Sequence, residues 1–171
     1  MIVTHLFQVA AEVAMEPPVS LGADDLLDAR ESVIAAFRPL DPTEVVFGQY
    51  EGYRDTDGIP ADSTTETFAA VRLWVDTDRW HGVPFLLRTG KMLDHSSQRL
   101  SLVFRSPADG PLTDTPEDGT VLTFDLAGDG AIDLAVTVKE PGSGTDLSVA
   151  HMTEQLDQVA DGLPPYARLI V

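Results

Sequence analysis

Arg88, Gly90 and Lys91 close the stretch "RWHGVPFLLRTGKML", residues 79–93, in a chain with 11 Lys and Arg against 28 Asp and Glu. Two cations beside a glycine, at the end of a short apolar run, demand an explanation in so acidic a chain. The glycine lets a ligand approach the backbone, and each cation offers a charge-assisted hydrogen bond. An ordinary surface lysine after a strand is the competing reading of Lys91. His5 stands at the edge of an apolar stripe that begins with Ile2 and Leu6. An imidazole there can take a proton near neutral pH, or it can be a partly buried structural histidine. The other histidines, His81, His95 and His151, lie far apart in sequence, and no pair stands at helical ligand spacing. Without cysteine, the chain has no disulfide, thiolate chemistry or cysteine-ligated zinc. It also has no glycine-rich phosphate loop, dinucleotide fingerprint or nucleophile elbow.

The elements that must position these residues follow from periodicity. "MIVTHLFQVAAEVAMEPP" repeats Ile2, Leu6, Val9 and Val13 at helical spacing and stops at Pro17-Pro18. "DDLLDARESVIAAF" predicts a second helix, with acids in its first turn where they suit the dipole, a stripe of Leu27, Ile34 and Phe37, and an end at "RPLDP". From Val45 the period becomes two. "VVFGQYEGY" reads as a strand before the loop "RDTDGIPAD", and "STTETFAAVRLWVD" alternates. Its Thr65, Thr67, Ala69, Val71, Leu73 and Val75 share one face, and Glu66, Phe68, Ala70, Arg72 and Trp74 the other. Two aromatics among charges suit a partner chain, with a solvated face as the alternative. "PFLLR", "RLSLVFR", "TVLTFDL", "AIDLAVTVKE" and "DLSVAHM" continue the strand pattern, joined by turns such as "PADGP" and "AGDGA". Leu122, Phe124 and Leu126 share a face, as do Ile132, Leu134, Val136 and Val138. One-sided alternation of this kind marks antiparallel strands with one buried face. Helices followed by strands predict an α+β fold, a large mostly antiparallel sheet with helices on one face, as a single domain over residues 1–171.

A formal charge of -17 disfavours nucleic acid and anionic membrane as partners, because the summed field repels both. No apolar stretch reaches a membrane span and no signal-peptide pattern opens the chain. The expected location is cytoplasmic.

The same stretches carry a resemblance. "HLFQVAAEVAMEPP", "VVFGQYEGY", "DSTTETFAAVRLWVDTDRWHGVPFLLRTGKML" and the closing "YARLI" are similar, in this order and over nearly the whole chain, to the C-terminal domain of the glucose-6-phosphate dehydrogenase family. The likeness is weakest between residues 105 and 160. It implies a large antiparallel sheet that forms a homodimer, which would account for the Phe68 and Trp74 face. It also implies that Lys91 matches the lysine on the phosphate of glucose 6-phosphate, a contact that positions the sugar for reaction. His5 matches the histidine that takes the anomeric proton as hydride leaves for the nicotinamide of NADP.

The departures from the family pattern matter equally. The Rossmann domain that binds NADP is absent, and with it the substrate-binding His-Tyr-Leu-Gly-Lys-Glu motif. The aspartate that orients the catalytic histidine would fall one residue before Met1. Val3 and Thr4 replace the Gln and Asn that precede that histidine, and His95 and Ser96 stand where a second cation is usual. His95 would serve the phosphate only when protonated. The expectation is therefore a substrate-binding and dimerisation domain with no cofactor of its own. It binds sugar phosphate weakly and does not oxidise glucose 6-phosphate alone, and a separate chain could supply the coenzyme domain. Two other functions compete: a non-catalytic assembly module, and a cofactor-free general-base enzyme using His5.

Overall fold

The computed structural model describes residues 2–106, 119–127 and 130–156. The expected "PADGP" turn, part of "AGDGA" and the closing "YARLIV" lie outside the described residues. The chain divides into two compact units, residues 1–94 and 95–171.

The first unit opens with a π-helical turn, Ile2–Leu6, that runs into helix α1, Phe7–Ala14. Helix α2 spans Ala23–Ala35. Strands β1, Val45–Gly48, β2, Phe68–Leu73, and β3, Phe85–Gly90, form an antiparallel sheet in the order β1-β2-β3. The alternation expected across β2 is present: Thr67, Ala69, Val71, Leu73 and Val75 are all buried. Regular pairing starts only at Phe68, because the residues before it belong to the loop from β1.

Both helices turn to the sheet by faces other than the expected stripes. In α1 the buried residues are Ala10, Ala11 and Ala14, while Val9 and Val13 are half-buried. In α2 it is Val33 that is buried, and Leu27 and Ile34 are 50% and 44% exposed. Small side chains let the helices approach closely. Ala11, Ala14, Val33 and Val75 form the core, with Met15, Phe37, Trp80 and Phe85 packed around it. Phe7 meets Phe37 edge to face at 5.7 Å, and Trp80 meets Phe85 at 5.0 Å, a geometry that adds to plain burial. After α2 the chain pairs briefly with the end of β2, through Arg38 N–H to the Trp74 carbonyl (3.0 Å) and Asp76 N–H to the Ala36 carbonyl (2.8 Å).

The second unit is a four-stranded antiparallel sheet in the order β4-β5-β6-β7, with β4 Arg99–Val103, β5 Val121–Asp125, β6 Ala131–Lys139 and β7 Leu147–Gln155. Its register pairs Leu122 with Leu134 and Phe124 with Ile132, so the two expected apolar sets share one face. On the other face Ser101, Thr123, Asp133 and Thr153 run in one row across the strands. The α+β class and the antiparallel pairing match expectation, with the strands distributed over two sheets.

Candidate functional site

Lys91 follows directly on β3, and three local features fix how it leaves the strand. Phe68 pairs with Gly90, and a Cβ on Gly90 would lie 2.9 Å from Phe68 Cδ2 and 3.2 Å from a Leu93 methyl. Only glycine leaves room for that ring and for the Leu93 side chain. The Lys91 N–H donates to the Thr67 carbonyl at 2.9 Å, which extends the ladder by one residue. Met92 then adopts φ 55°, the left-handed region that non-glycine residues rarely occupy, and reverses the chain. The lysine side chain is exposed at this reversal.

The two cations of the opening motif separate. Arg88 pairs with Ala70 and sits on the face of the sheet opposite the helices. Strand alternation carried past Gly90 directs Lys91 to the helix side instead. His5 lies in the π-turn, exposed, and that turn packs beside β3. His95 is exposed and is the first residue of the second unit.

The far end of helix α1 is held in place by residues that periodicity alone did not single out. Trp80 Nε1 donates to the Ala14 carbonyl at 2.9 Å and so satisfies an orphan acceptor at the end of α1. Arg79 grips Glu16 with two parallel hydrogen bonds, 2.9 and 2.8 Å, which hold the Glu16 carboxyl below its ordinary range. The turn that carries them closes with Val83 N–H to the Trp80 carbonyl, and Gly82 supplies its φ of 72°. Arg30 adds an ion pair from α2 to Glu12 of α1. The signal was present in "MEPP" and "DRWHGVP", but it becomes readable only once the two segments are known to touch.

The open face of the first sheet differs from expectation. Phe68 and Trp74 are half-buried, not free, since Phe68 covers Gly90 and Trp74 Nε1 donates to Glu44 Oε2 at 2.9 Å. Glu44 also receives Arg72 at 2.8 Å. The exposed apolar residues of this face are Val46, 60%, and Leu86, 73%. They flank a shallow groove of about 350 Å³ that includes Ala70, Arg72 and Arg88. In the second unit Asp133 accepts from Thr153 Oγ1 at 2.6 Å and pairs with His151 Nδ1 at 3.0 Å, contacts that lower its pKa. Among the described residues no group of three or more acids and histidines is placed to hold a metal ion, and no helix is long and apolar enough to cross a membrane.

Helices and antiparallel strands, with a histidine-bearing turn packed beside β3, define the class: an α+β domain. Residues 1–171 match the family model described as glucose-6-phosphate dehydrogenase, C-terminal domain, and the chain belongs to that family. Glucose-6-phosphate 1-dehydrogenase of Dictyostelium discoideum is 37% identical over 98% of this chain and 36% of its own length. The corresponding enzyme 1 of Mycobacterium tuberculosis (strain H37Rv) is 48% identical over 59% of the chain and 22% of its own length. Among solved structures, glucose-6-phosphate 1-dehydrogenase from Mycobacterium avium superposes with a TM-score of 0.82 at 37% identity, covering 99% of this chain and 37% of that one. A glucose-6-phosphate dehydrogenase in complex with its substrate glucose-6-phosphate gives 0.84 at 30% identity, covering 97% and 36%. The matched region thus spans between about a fifth and little more than a third of the length of these relatives.

Proposed function

We propose that this domain binds the phosphate of glucose 6-phosphate through Lys91 and presents His5 to the sugar's anomeric hydroxyl as general base. The observation that carries this reading is the packing of the His5 turn beside β3, the strand that runs into Lys91. One relative's structure contains glucose-6-phosphate as its substrate, in agreement with a sugar phosphate here. In this reading the ammonium of Lys91 fixes the dianion, and the imidazole of His5 takes the hydroxyl proton. A nicotinamide cofactor would accept the hydride in the family reaction. Every strand pair among the described residues is antiparallel, so none of them forms the parallel βαβ crossover on which a Rossmann fold holds a dinucleotide. In this reading NADP is held by other residues of a complete enzyme. The open groove around Val46, Leu86, Arg72 and Arg88 serves a second copy of the domain.

With one lysine at the anion site, affinity on the order of 1 mM is expected, equivalent to about 4 kcal/mol. Lys91 and Lys139 are the only lysines. Reductive ¹³C-methylation therefore gives two side-chain signals and the amino terminus, and it keeps the charge. Titration with glucose 6-phosphate should move the Lys91 signal and leave the Lys139 signal in place, and Lys91→Ala should abolish binding by calorimetry. Micromolar affinity that survives Lys91→Ala would place the phosphate elsewhere.

A further inference from the structure

Thr67 is the one buried polar residue among those described, 8% exposed on a face otherwise made of Ala69, Val71, Leu73 and Val75. A hydroxyl in that position has a structural use. Thr67 Oγ1 accepts the Tyr50 N–H at 2.9 Å, the Thr67 N–H donates to the Gly48 carbonyl at 2.9 Å, and the Thr67 carbonyl accepts the Lys91 N–H at 2.9 Å. One residue thus ties the end of β1, the start of β2 and the end of β3 together. The neighbouring loop is fixed as well, since Gln49 Nε2 donates to the Ser63 and Thr65 carbonyls at 3.0 and 2.8 Å, and Arg54 Nε donates to Gln49 Oε1 at 3.0 Å. The next residue, Phe68, presses on Gly90. Lys91 is therefore constrained from two adjacent residues at the start of β2, Thr67 just before the strand and Phe68 within it, by a hydrogen bond to its own amide and by a ring on the residue before it.

We infer that Thr67 is a positioning residue for Lys91: its side chain fixes the strand end whose carbonyl aims the lysine at an anionic ligand. This rests on the sugar-phosphate reading of Lys91, and it assigns the accuracy of that contact to a residue that never touches the ligand. Without the hydroxyl the Tyr50 N–H loses its acceptor in a partly buried setting, the β1 end draws away to find another, and the Thr67 carbonyl moves with it. A long flexible side chain on a loosened anchor spreads its charge over many positions, so the ligand contact weakens although the cation remains.

The test compares Thr67→Val, which keeps the shape and removes the acceptor, with Thr67→Ser, which keeps the acceptor. Two readouts are taken on each: hydrogen exchange at the Lys91 amide without ligand, and the glucose 6-phosphate titration of the ¹³C-methylated Lys91 signal. In Thr67→Val the Lys91 amide should exchange at least about ten-fold faster. Its Kd should rise about ten-fold, in keeping with impairment of one charge-assisted contact. Thr67→Ser should stay within about two-fold of the parent on both measures. The Lys139 signal, in the other unit, should be the same in all. Should Thr67→Val fail to fold, Thr67→Ala gives the same comparison. Unchanged Lys91 exchange or unchanged affinity in the variant lacking the hydroxyl, or failure of Thr67→Ser to restore either, overturns the inference. A parent protein whose Lys91 signal ignores glucose 6-phosphate overturns the sugar-phosphate reading instead, and the exchange measurement still decides whether Thr67 holds the strand end.

Discussion

Gly90 shows how much of the site depends on an atom that is missing. Its backbone lies against the Phe68 ring and the Leu93 methyls, and a Cβ there falls inside contact distance of both. Gly90→Ala should therefore cost about 1–3 kcal/mol by overpacking, read as a lower denaturant midpoint with an unchanged slope. A midpoint equal to the parent's would mean that the ring moves aside freely and does not constrain Lys91. At this scale a role for Lys91 is legible only through the family resemblance, since residue type and spacing alone suit an ordinary surface lysine. The sequence gives no sign of what holds its backbone. A threonine in an alternating strand looks like any polar residue on a β surface. Its burial follows from a backbone N–H seventeen positions away that needs an acceptor. Arg88 is a similar case, since it is adjacent to Lys91 in the motif and on the other side of the sheet in space.

At the scale of elements, period two was easier to interpret than period 3.6. Every second residue from Thr67 to Val75 is buried, as the alternation requires, because a strand has only two faces to choose between. A helix can turn any stripe inward. Both helices chose small or β-branched residues, Ala10, Ala11, Ala14 and Val33, over the larger ones at the expected positions. Close approach of the two helices to each other decided the matter, and hydrophobic size gives no clue to it. The consequence is measurable in α2. Val33→Ala should destabilise by about 2 kcal/mol, because it leaves a cavity in the core. Ile34→Ala, at a position 44% exposed, should change stability by less than about 0.5 kcal/mol. Equal losses in chemical denaturation would restore Ile34 to the core.

Over the whole molecule, the open groove of the first sheet and the strong negative charge pull in opposite directions. Val46 and Leu86 favour contact with a second copy, while a formal charge of -17 on each chain resists it. At the groove Glu44 is neutralised by Arg72 and Arg88 adds one positive charge, so little of the net negative charge sits where two copies would meet, and salt within the physiological range screens the remainder. The protein should dimerise at micromolar concentration in 0.15 M salt, where the Debye length is about 8 Å, and Leu86→Asp should return it to a monomer by light scattering. A parent protein that is monomeric under those conditions would remove the groove as an interface. This reading replaces the aromatics expected to drive contact, Phe68 and Trp74, with two aliphatic residues. The aromatics looked available in sequence because their partners, Gly90 and Glu44, sit on other segments.

The anchoring of α1 by Arg79 and Trp80 also has a consequence in time. The helix that follows His5 leaves the ribosome well before the side chains that secure it, since Arg79 lies 63 positions after Glu16. Until residues 79 and 80 emerge, eight residues with three small alanines toward the future core have little to hold them helical, since isolated helices of this length are marginal in water. The nascent chain therefore lays down β1 and β2 before it can seat this helix, and the turn that carries His5 meets its strand only when β3 follows.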